Sequence, residues 1–272
     1  MSTEIQARTN GAITSGVLAG NWGKFEGDVT DILIPKLLVG QATSKLVQDE
    51  KLAFGQVWRS TTGEVLGGKG KPFDVIPLFL FKTWILSEKV SGKFEFRGVE
   101  PFTAENRDAD WTWTEKSDGK TIEKKREQAL NFYVLLPSDI AADSAARKAF
   151  HETGELPDTE ASLLPCLLQF KSTAYKSGKV LVTHFAKAAD FGVPPFVNTF
   201  RIDTEKVTGD QNSWFIFKAE SAGKTSQEFL QSCAKWREIV AKQNVKVDDS
   251  DLTNADDAGA RSISVDGSDD MF

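Results

Sequence analysis

Runs of apolar and alternating residues through the middle of the chain predict β-strands. Residues 75–88 form one long apolar and aromatic run, and residues 93–100 alternate strictly, with Phe94 and Phe96 on one face. Turn residues such as glycine and serine separate these runs from their neighbours. Further strands are predicted at 53–60, 64–68, 131–137, 163–173, 179–187, 195–203 and 213–220.

Three segments instead repeat their apolar residues at helical spacing. They are residues 32–52, residues 138–153 and residues 226–243. The last of them begins with Thr225 and Glu228, the residue pair of a capping box. The chain is therefore predicted to be mainly β with a few helices.

The expected fold class is α+β, built on an OB-fold-like antiparallel barrel with insertions, because short strands joined by glycine turns are typical of barrels and sandwiches. Residues 1–20 are predicted to be a flexible arm and residues 21–247 the folded body. Two β-rich halves, 21–137 and 160–247, are an alternative division of this body. Residues 248–272 are predicted to be a disordered acidic tail.

The tail changes the meaning of the chain's net charge. It holds eight aspartates against one arginine and ends in the hydrophobic pair Met271-Phe272. The tail has a net charge of −7 and the whole chain has a net charge of −6, so the remaining residues have a net charge of +1. Such asymmetry indicates an interaction tail. A tail that only improves solubility is the alternative, although solubility does not require an apolar tip.

Several classes of protein find little support in the sequence. No apolar run is long enough for a transmembrane helix, and the N-terminus lacks the apolar stretch of a signal peptide, so a cytoplasmic protein is expected. Cys166 and Cys233 are predicted to be buried free thiols. His151 and His184 lack the spacing of a zinc site. No catalytic motif, metal site or cofactor is predicted.

Nucleic-acid binding finds more support, because non-specific single-strand binders combine stacking aromatic rings with cations for the phosphates. The chain has 7 tryptophans and 19 phenylalanines, and several stand beside lysine or arginine. A run from Lys116 to Arg126 adds further cations, interleaved with acidic residues. Packing in the core is the alternative for each aromatic residue. The candidate DNA-binding residues are Lys82, Trp84, Phe94, Arg97, Trp111, Trp113, Lys171, Tyr175, Lys176 and Lys179.

Five stretches, IPKLLVGQATSKLVQDEKLAFG, STTGEVLG, FKTW, LNFYVLLP and LQFKSTAYKSGK, together with the acidic tail, give the chain a familiar layout. It resembles the single-stranded DNA-binding proteins (SSBs) encoded by tailed bacteriophages. The resemblance implies an OB fold, coating of single strands without sequence preference, and a role in phage DNA replication, recombination and repair in the host cytoplasm. It also implies that the tip of the tail, Asp269, Asp270, Met271 and Phe272, recruits replisome or recombination proteins.

Two other functions remain open at this point. A protein-interaction factor or recombination mediator would use the tail to mimic DNA. A metal-dependent nuclease would use the carboxylates of Asp108 and Asp110, which are also typical of a solvated loop. The single-stranded DNA hypothesis predicts no membrane partner and leaves homo-oligomer formation open.

Overall fold

The computed structural model of the protein describes residues 34–117, 119–154, 163–209 and 212–242. The predicted arm 1–20 and the predicted tail 248–272 lie outside these residues.

Strands make up most of the described structure. They are Leu37–Val39 (β1), Gln56–Arg59 (β2), Val65–Gly68 (β3), Phe73–Val90 (β4), Lys93–Pro101 (β5), Thr112–Ser117 (β6), Lys120–Leu135 (β7), Cys166–Lys171 (β8), Asn198–Thr208 (β9) and Ser213–Lys224 (β10). The α-helices are Lys45–Gln48 (α1), Pro137–Thr153 (α2), Tyr175–Asp190 (α3) and Leu230–Lys242 (α4).

Two long strands, β4 and β7, are the spine of a seven-stranded sheet. They have 18 and 16 residues, about 50–60 Å at the usual rise per residue. The two strands pair antiparallel from Ile76 opposite Leu135 to Glu88 opposite Lys124. Each is long enough to have two neighbours on its other edge. β4 pairs first with β9 and then with β5, and β7 pairs first with β6 and then with β8.

The antiparallel sheets and the helices confirm the mainly β, α+β fold class, but the predicted OB-type barrel is wrong for the described residues. The strands β1, β2 and β3 form a separate sheet, and the seven-stranded sheet stays open. On the edge of β10 where a further strand would pair, the main chain instead forms hydrogen bonds with a side chain. The amide of Gln41 donates to the carbonyl of Phe215 at 2.7 Å and accepts from its N–H at 3.1 Å.

Alternation along β7 divides the core into two layers, because successive side chains of a strand point to opposite faces. Leu130, Phe132 and Val134 face a cluster that includes Leu181 of α3 and Phe200 of β9. On the opposite face, residues such as Tyr133 and Leu135 meet the apolar sides of α2 and α4. The half of the sheet formed by the C-terminal part of β7 is thus covered on both faces.

The helix predicted over residues 32–52 does not form. Its apolar residues Leu37 to Val39 pair with β2 instead, and only the short helix α1 follows them. Gly40 lies at the junction, where a Cβ atom would stand 2.7 Å from Leu52 Cδ2. A short apolar run is compatible with both structures, and here pairing with β2 decides between them.

The strand predicted over residues 179–187 is also wrong, because these residues lie inside α3. The buried positions of this helix are Gly178, Leu181 and Ala188, which recur at intervals of three and seven. Gly178 therefore lies within a helix and not in a turn between strands. A Cβ atom at Gly178 would lie 2.7 Å from Phe170 Cγ and 3.0 Å from Leu130 Cδ1, so the glycine allows α3 to pack closely on the sheet.

The helices predicted near residues 138–153 and 226–243 are confirmed as α2 and α4. Gly154 ends α2 in the left-handed conformation, at φ 73°. The predicted capping box is not formed. The hydroxyl of Thr225 pairs with that of Thr199 at 3.1 Å, and Ser226 binds Glu228 through its side chain at 3.0 Å.

Candidate nucleic-acid interface

The C-terminal part of β4 and the N-terminal part of β7 continue beyond the helix-covered core as a four-stranded sheet in the order β5-β4-β7-β6. We call it the arm, which is distinct from the predicted N-terminal arm 1–20, and define it as residues 83–101 and 112–128. All but a few of its side chains are exposed or half-buried. A sheet that presents both faces to solvent has surface available for a ligand.

The strand register assigns the arm's side chains to two faces, because directly opposed residues of an antiparallel pair lie on the same face. The tryptophan face holds Trp84 opposite Gln128, Trp113 opposite Lys124, and Arg126 between them along β7. The phenylalanine face holds Phe94, Phe96, Lys89, Lys125 and Glu127.

Arg126 lies at the centre of the tryptophan face. Its guanidinium carbon is 4.4 Å from the ring centroid of Trp113 and 5.8 Å from that of Trp84, both within the range of cation–π attraction. Its Nε is buried without a hydrogen-bond partner. A ligand that supplies acceptor oxygens or a π face would complement this cation.

Trp84 and Trp111 have different environments within the same cluster. Trp84 is 0% exposed, whereas Trp111 is 56% exposed and stands edge-on to Trp84 with a centroid distance of 5.7 Å. Phe102 packs on Trp84 at 5.3 Å, and Lys82 Nζ lies 5.3 Å from the Phe102 ring. In this conformation Trp84 supports the cluster from below and Trp111 is the ring available for stacking.

The N-terminus of α3 adjoins the tryptophan face. The hydroxyl of Tyr175 donates to Gln128 Oε1 at 3.1 Å, and Gln128 is the residue opposite Trp84. Burial raises the pKa of Tyr175, which favours the protonated hydroxyl that this bond requires. Lys179 Nζ lies 5.9 Å from the Tyr175 ring. One continuous surface therefore runs from Lys179 and Tyr175 of α3, through Gln128, Trp84 and Arg126, to Trp113. We call it the tryptophan strip.

Cations along this strip differ in whether a carboxylate neutralises them. Within the described residues, no carboxylate forms an ion pair with Lys82, Arg126, Lys176 or Lys179. Further out on the same face, Lys124 is paired with Glu115, and Arg97 is paired with Glu88 and Glu95 at 3.4 Å. The strip thus carries free positive charge where it meets α3.

The strip includes most of the residues predicted from sequence. Lys82, Trp84, Trp111, Trp113, Tyr175 and Lys179 all belong to it. Lys176 is exposed on α3, next to Tyr175 in the chain. Phe94 does not, because it lies on the phenylalanine face between Lys89 and Lys125, each 5.8 Å from its ring. Lys171 is opposite Ala129 in the register and is also directed to that face. Asp269, Asp270, Met271 and Phe272 lie outside the described residues.

Three contributors to the strip were missing from the predicted site. They are Arg126, Gln128 and Asn106, whose side-chain oxygen accepts the Nε1–H of Trp84 at 3.0 Å. The spacing of Lys124, Arg126 and Gln128 is the alternation of a strand and was available in the sequence. The predicted strands do not include residues 112–128, which form β6 and part of β7, so this alternation was not assigned to a strand face.

Other chemistry is sparse in the described part of the chain. It holds no group of three or more histidine, cysteine, aspartate or glutamate side chains arranged to bind a metal ion. Asp108 and Asp110 are exposed in the loop before β6. The prediction of free, buried thiols is confirmed for Cys166 and Cys233. No helix among the described residues is long and apolar enough to cross a membrane.

Fold and surface together define a mainly β protein with an open sheet whose exposed arm combines tryptophan rings with free cations. The chain belongs to the Pam3 phage gp34-like protein family, whose family model matches residues 13–246. The expected phage affiliation is consistent with this family. No curated protein and no solved structure matches the chain.

Proposed function

We propose that this protein binds single-stranded DNA along the tryptophan strip, without preference for sequence. The observation that carries the proposal is the junction at Tyr175 and Gln128, which joins the cations of α3 to the rings around Arg126. Single-strand binders need both elements side by side, since cations hold the backbone while rings stack the bases.

In the proposed complex, the exposed ring of Trp111 stacks a base, and the free edge of Trp113 offers a second contact. Base stacking on an aromatic residue is worth about 1–3 kcal/mol per base and tolerates any base, because each has a π face. Lys82, Lys176 and Lys179 neutralise phosphates. Arg126 donates to a phosphate or a base oxygen while it remains stacked on Trp113.

The acidic tail gives the proposal its second part. Its eight aspartates are electrostatically similar to nucleic acid, so the tail competes for the same cations when DNA is absent. DNA would then release Asp269, Asp270, Met271 and Phe272 for replisome or recombination proteins in the host cytoplasm. The described residues contain no part of the tail, and this step rests on sequence and on the resemblance to phage SSBs.

The experiment is fluorescence anisotropy of labelled oligo-dT with the full chain and with a chain ending at Val247, over a range of salt concentrations. We expect salt-sensitive binding that is tighter for the shorter chain, and weak competition by duplex DNA. Failure of both chains to bind would contradict the proposal and direct attention to a protein partner.

A charge-matched pair of variants localises the site. The double variant Lys176→Ala with Lys179→Ala should make the negative slope of log K against log salt shallower by about 1.4. Each phosphate contact contributes about 0.7 to the steepness for single strands. Lys187→Ala with Lys235→Ala removes the same charge from two exposed positions off the strip. Equal slopes for the two double variants would remove the α3 lysines from the site.

A further inference from the structure

A short loop between β5 and β6 covers Trp84 of the tryptophan cluster. It is fixed to the sheet at both ends, because the N–H of Phe102 donates to the carbonyl of Lys82 at 3.2 Å and the N–H of Arg126 donates to the carbonyl of Trp111 at 2.8 Å. Trp111, the most exposed ring of the cluster, is the last residue of this loop before β6.

The centre of the loop is held by the side chain of Asn106. Its Oδ1 accepts the Nε1–H of Trp84 at 3.0 Å and the main-chain N–H of Thr103 at 2.8 Å. Its Nδ2 donates to the carbonyl of Pro101 at 2.9 Å. One half-buried amide thus joins the loop to the indole beneath it and closes the loop on itself.

These bonds have a consequence for the exposed ring. Trp84 is fully buried, so its Nε1–H would lose its partner if Asn106 were shortened, at a cost comparable to other buried unsatisfied donors. The loop would then no longer be held across Trp84, and the edge-to-face contact between Trp84 and Trp111 would lose its fixed geometry. The phenylalanine face depends on none of these contacts.

We propose that Asn106 is a positioning residue of the single-strand site, which holds the loop 101–111 so that Trp111 is presented to a base. The inference rests on the proposed function, because Asn106 acts through Trp111 rather than through contact with DNA. The presentation of a ring to an unstacked base then depends on a loop whose own residues are mostly polar.

A double-mutant cycle tests whether the two residues act together. Asn106→Ala, Trp111→Ala and the double variant are compared with the wild-type full chain for binding to labelled oligo-dT. We expect Asn106→Ala to weaken binding about fivefold or more, the lower end of what one stacked base contributes. The double variant should bind within about twofold of Trp111→Ala alone, since coupled residues are not additive.

Hydrogen exchange of residues 101–111 without DNA supplies a second readout that separates loop positioning from a general loss of stability. Exchange should accelerate in this segment alone for Asn106→Ala and stay unchanged for Ala104→Ser, a control at an exposed position of the same loop. Unchanged exchange in Asn106→Ala, wild-type affinity of that variant, or multiplied losses in the double variant would each overturn the inference.

These outcomes are distinguishable from failure of the proposed function. If the wild-type chain binds no oligo-dT, single-strand binding falls and Asn106 loses its role in it. If the wild-type chain binds and Trp111→Ala binds equally well, Trp111 is not the stacking ring and the inference is overturned while the protein remains a DNA binder.

Discussion

The guanidinium of Arg126 lies over the ring of Trp113 at 4.4 Å, on a sheet face where no carboxylate of the described residues pairs with it. Its neighbour on this face of β7, Lys124, is paired with Glu115, two residues after Trp113. The two cations are separated by a single residue, yet only Arg126 keeps its charge for a ligand. The stacked arginine is therefore the group on the tryptophan face best placed to bind one.

Replacing Arg126 by lysine tests this relationship, because lysine keeps the charge and loses the planar group that stacks on Trp113. We expect affinity for oligo-dT to fall about tenfold, within the range of a partly desolvated cation–π contact, with the salt slope unchanged. Arg126→Gln should weaken binding further and also lower the slope by about 0.7. Anisotropy titrations at several salt concentrations measure both quantities.

The control for this change is Arg97→Lys, the same substitution at an ion-paired arginine of the arm. We expect less than about a twofold effect, since a salt bridge on the surface contributes little and lysine can retain it. Equal losses for Arg126→Lys and Arg97→Lys would show that stacking on Trp113 has no part in binding.

Trp84 and Trp111 should have opposite phenotypes although their rings are in contact. Trp84→Ala removes a fully buried indole and should lower the free energy of unfolding by about 3–5 kcal/mol. Trp111→Ala removes a largely exposed ring and should cost less than about 1 kcal/mol in stability. Its effect should appear in DNA affinity instead, as a loss of about 1–3 kcal/mol. Urea unfolding and anisotropy separate the two effects, and wild-type affinity in Trp111→Ala would contradict the stacking role.

Sequence patterns identified the rings and lysines of the strip but not how they come together. Trp84 and Tyr175 are 91 residues apart in the chain, and only the pairing of β4 with β7 and the bond from Tyr175 to Gln128 make them neighbours. Phe94 shows the converse. It has the same kind of cationic neighbours as the tryptophans, yet the register assigns it to the opposite face.

The fold was predictable where local pattern and tertiary contacts agree. The strict alternation of residues 93–100 became β5, and the helical period after residue 226 became α4. Prediction failed for α3, because the run from Val180 to Thr183 is rich in the β-branched residues that are typical of strands. Closure into a barrel could not be judged either, because it depends on which edges pair rather than on any one segment.

Gly178 allows a direct test of the contact that decides the structure of α3. Glycine to alanine in a helix normally stabilises by about 1 kcal/mol, whereas here the new Cβ would stand 2.7 Å from Phe170 Cγ. We expect Gly178→Ala to lower the free energy of unfolding by about 1–3 kcal/mol through overpacking. Ser177→Ala is the control and should change stability by less than about 0.5 kcal/mol. Stabilisation by Gly178→Ala in urea unfolding would show that α3 and β8 do not pack this closely.

Stability should fall at alkaline pH because of the buried thiols. Burial raises the pKa of Cys166 and of Cys233 from 9.0 to about 12. Both thiols are fully buried, so the folded state keeps their protons while the unfolded chain loses them above pH 9. A raised pKa contributes stability that is complete below the unfolded value and is lost as pH rises towards the folded value. The free energy of unfolding should therefore decline between about pH 9 and pH 12, by up to about 1.4 kcal/mol per pH unit for each thiol. Urea unfolding under reducing conditions at pH 8, 9 and 10 measures this decline.

The variant Cys166→Ala should reduce the steepness of this decline relative to wild type, whatever its effect on stability at pH 8. Parallel curves for the two chains would show that the Cys166 thiol is not protected from ionisation in the folded state.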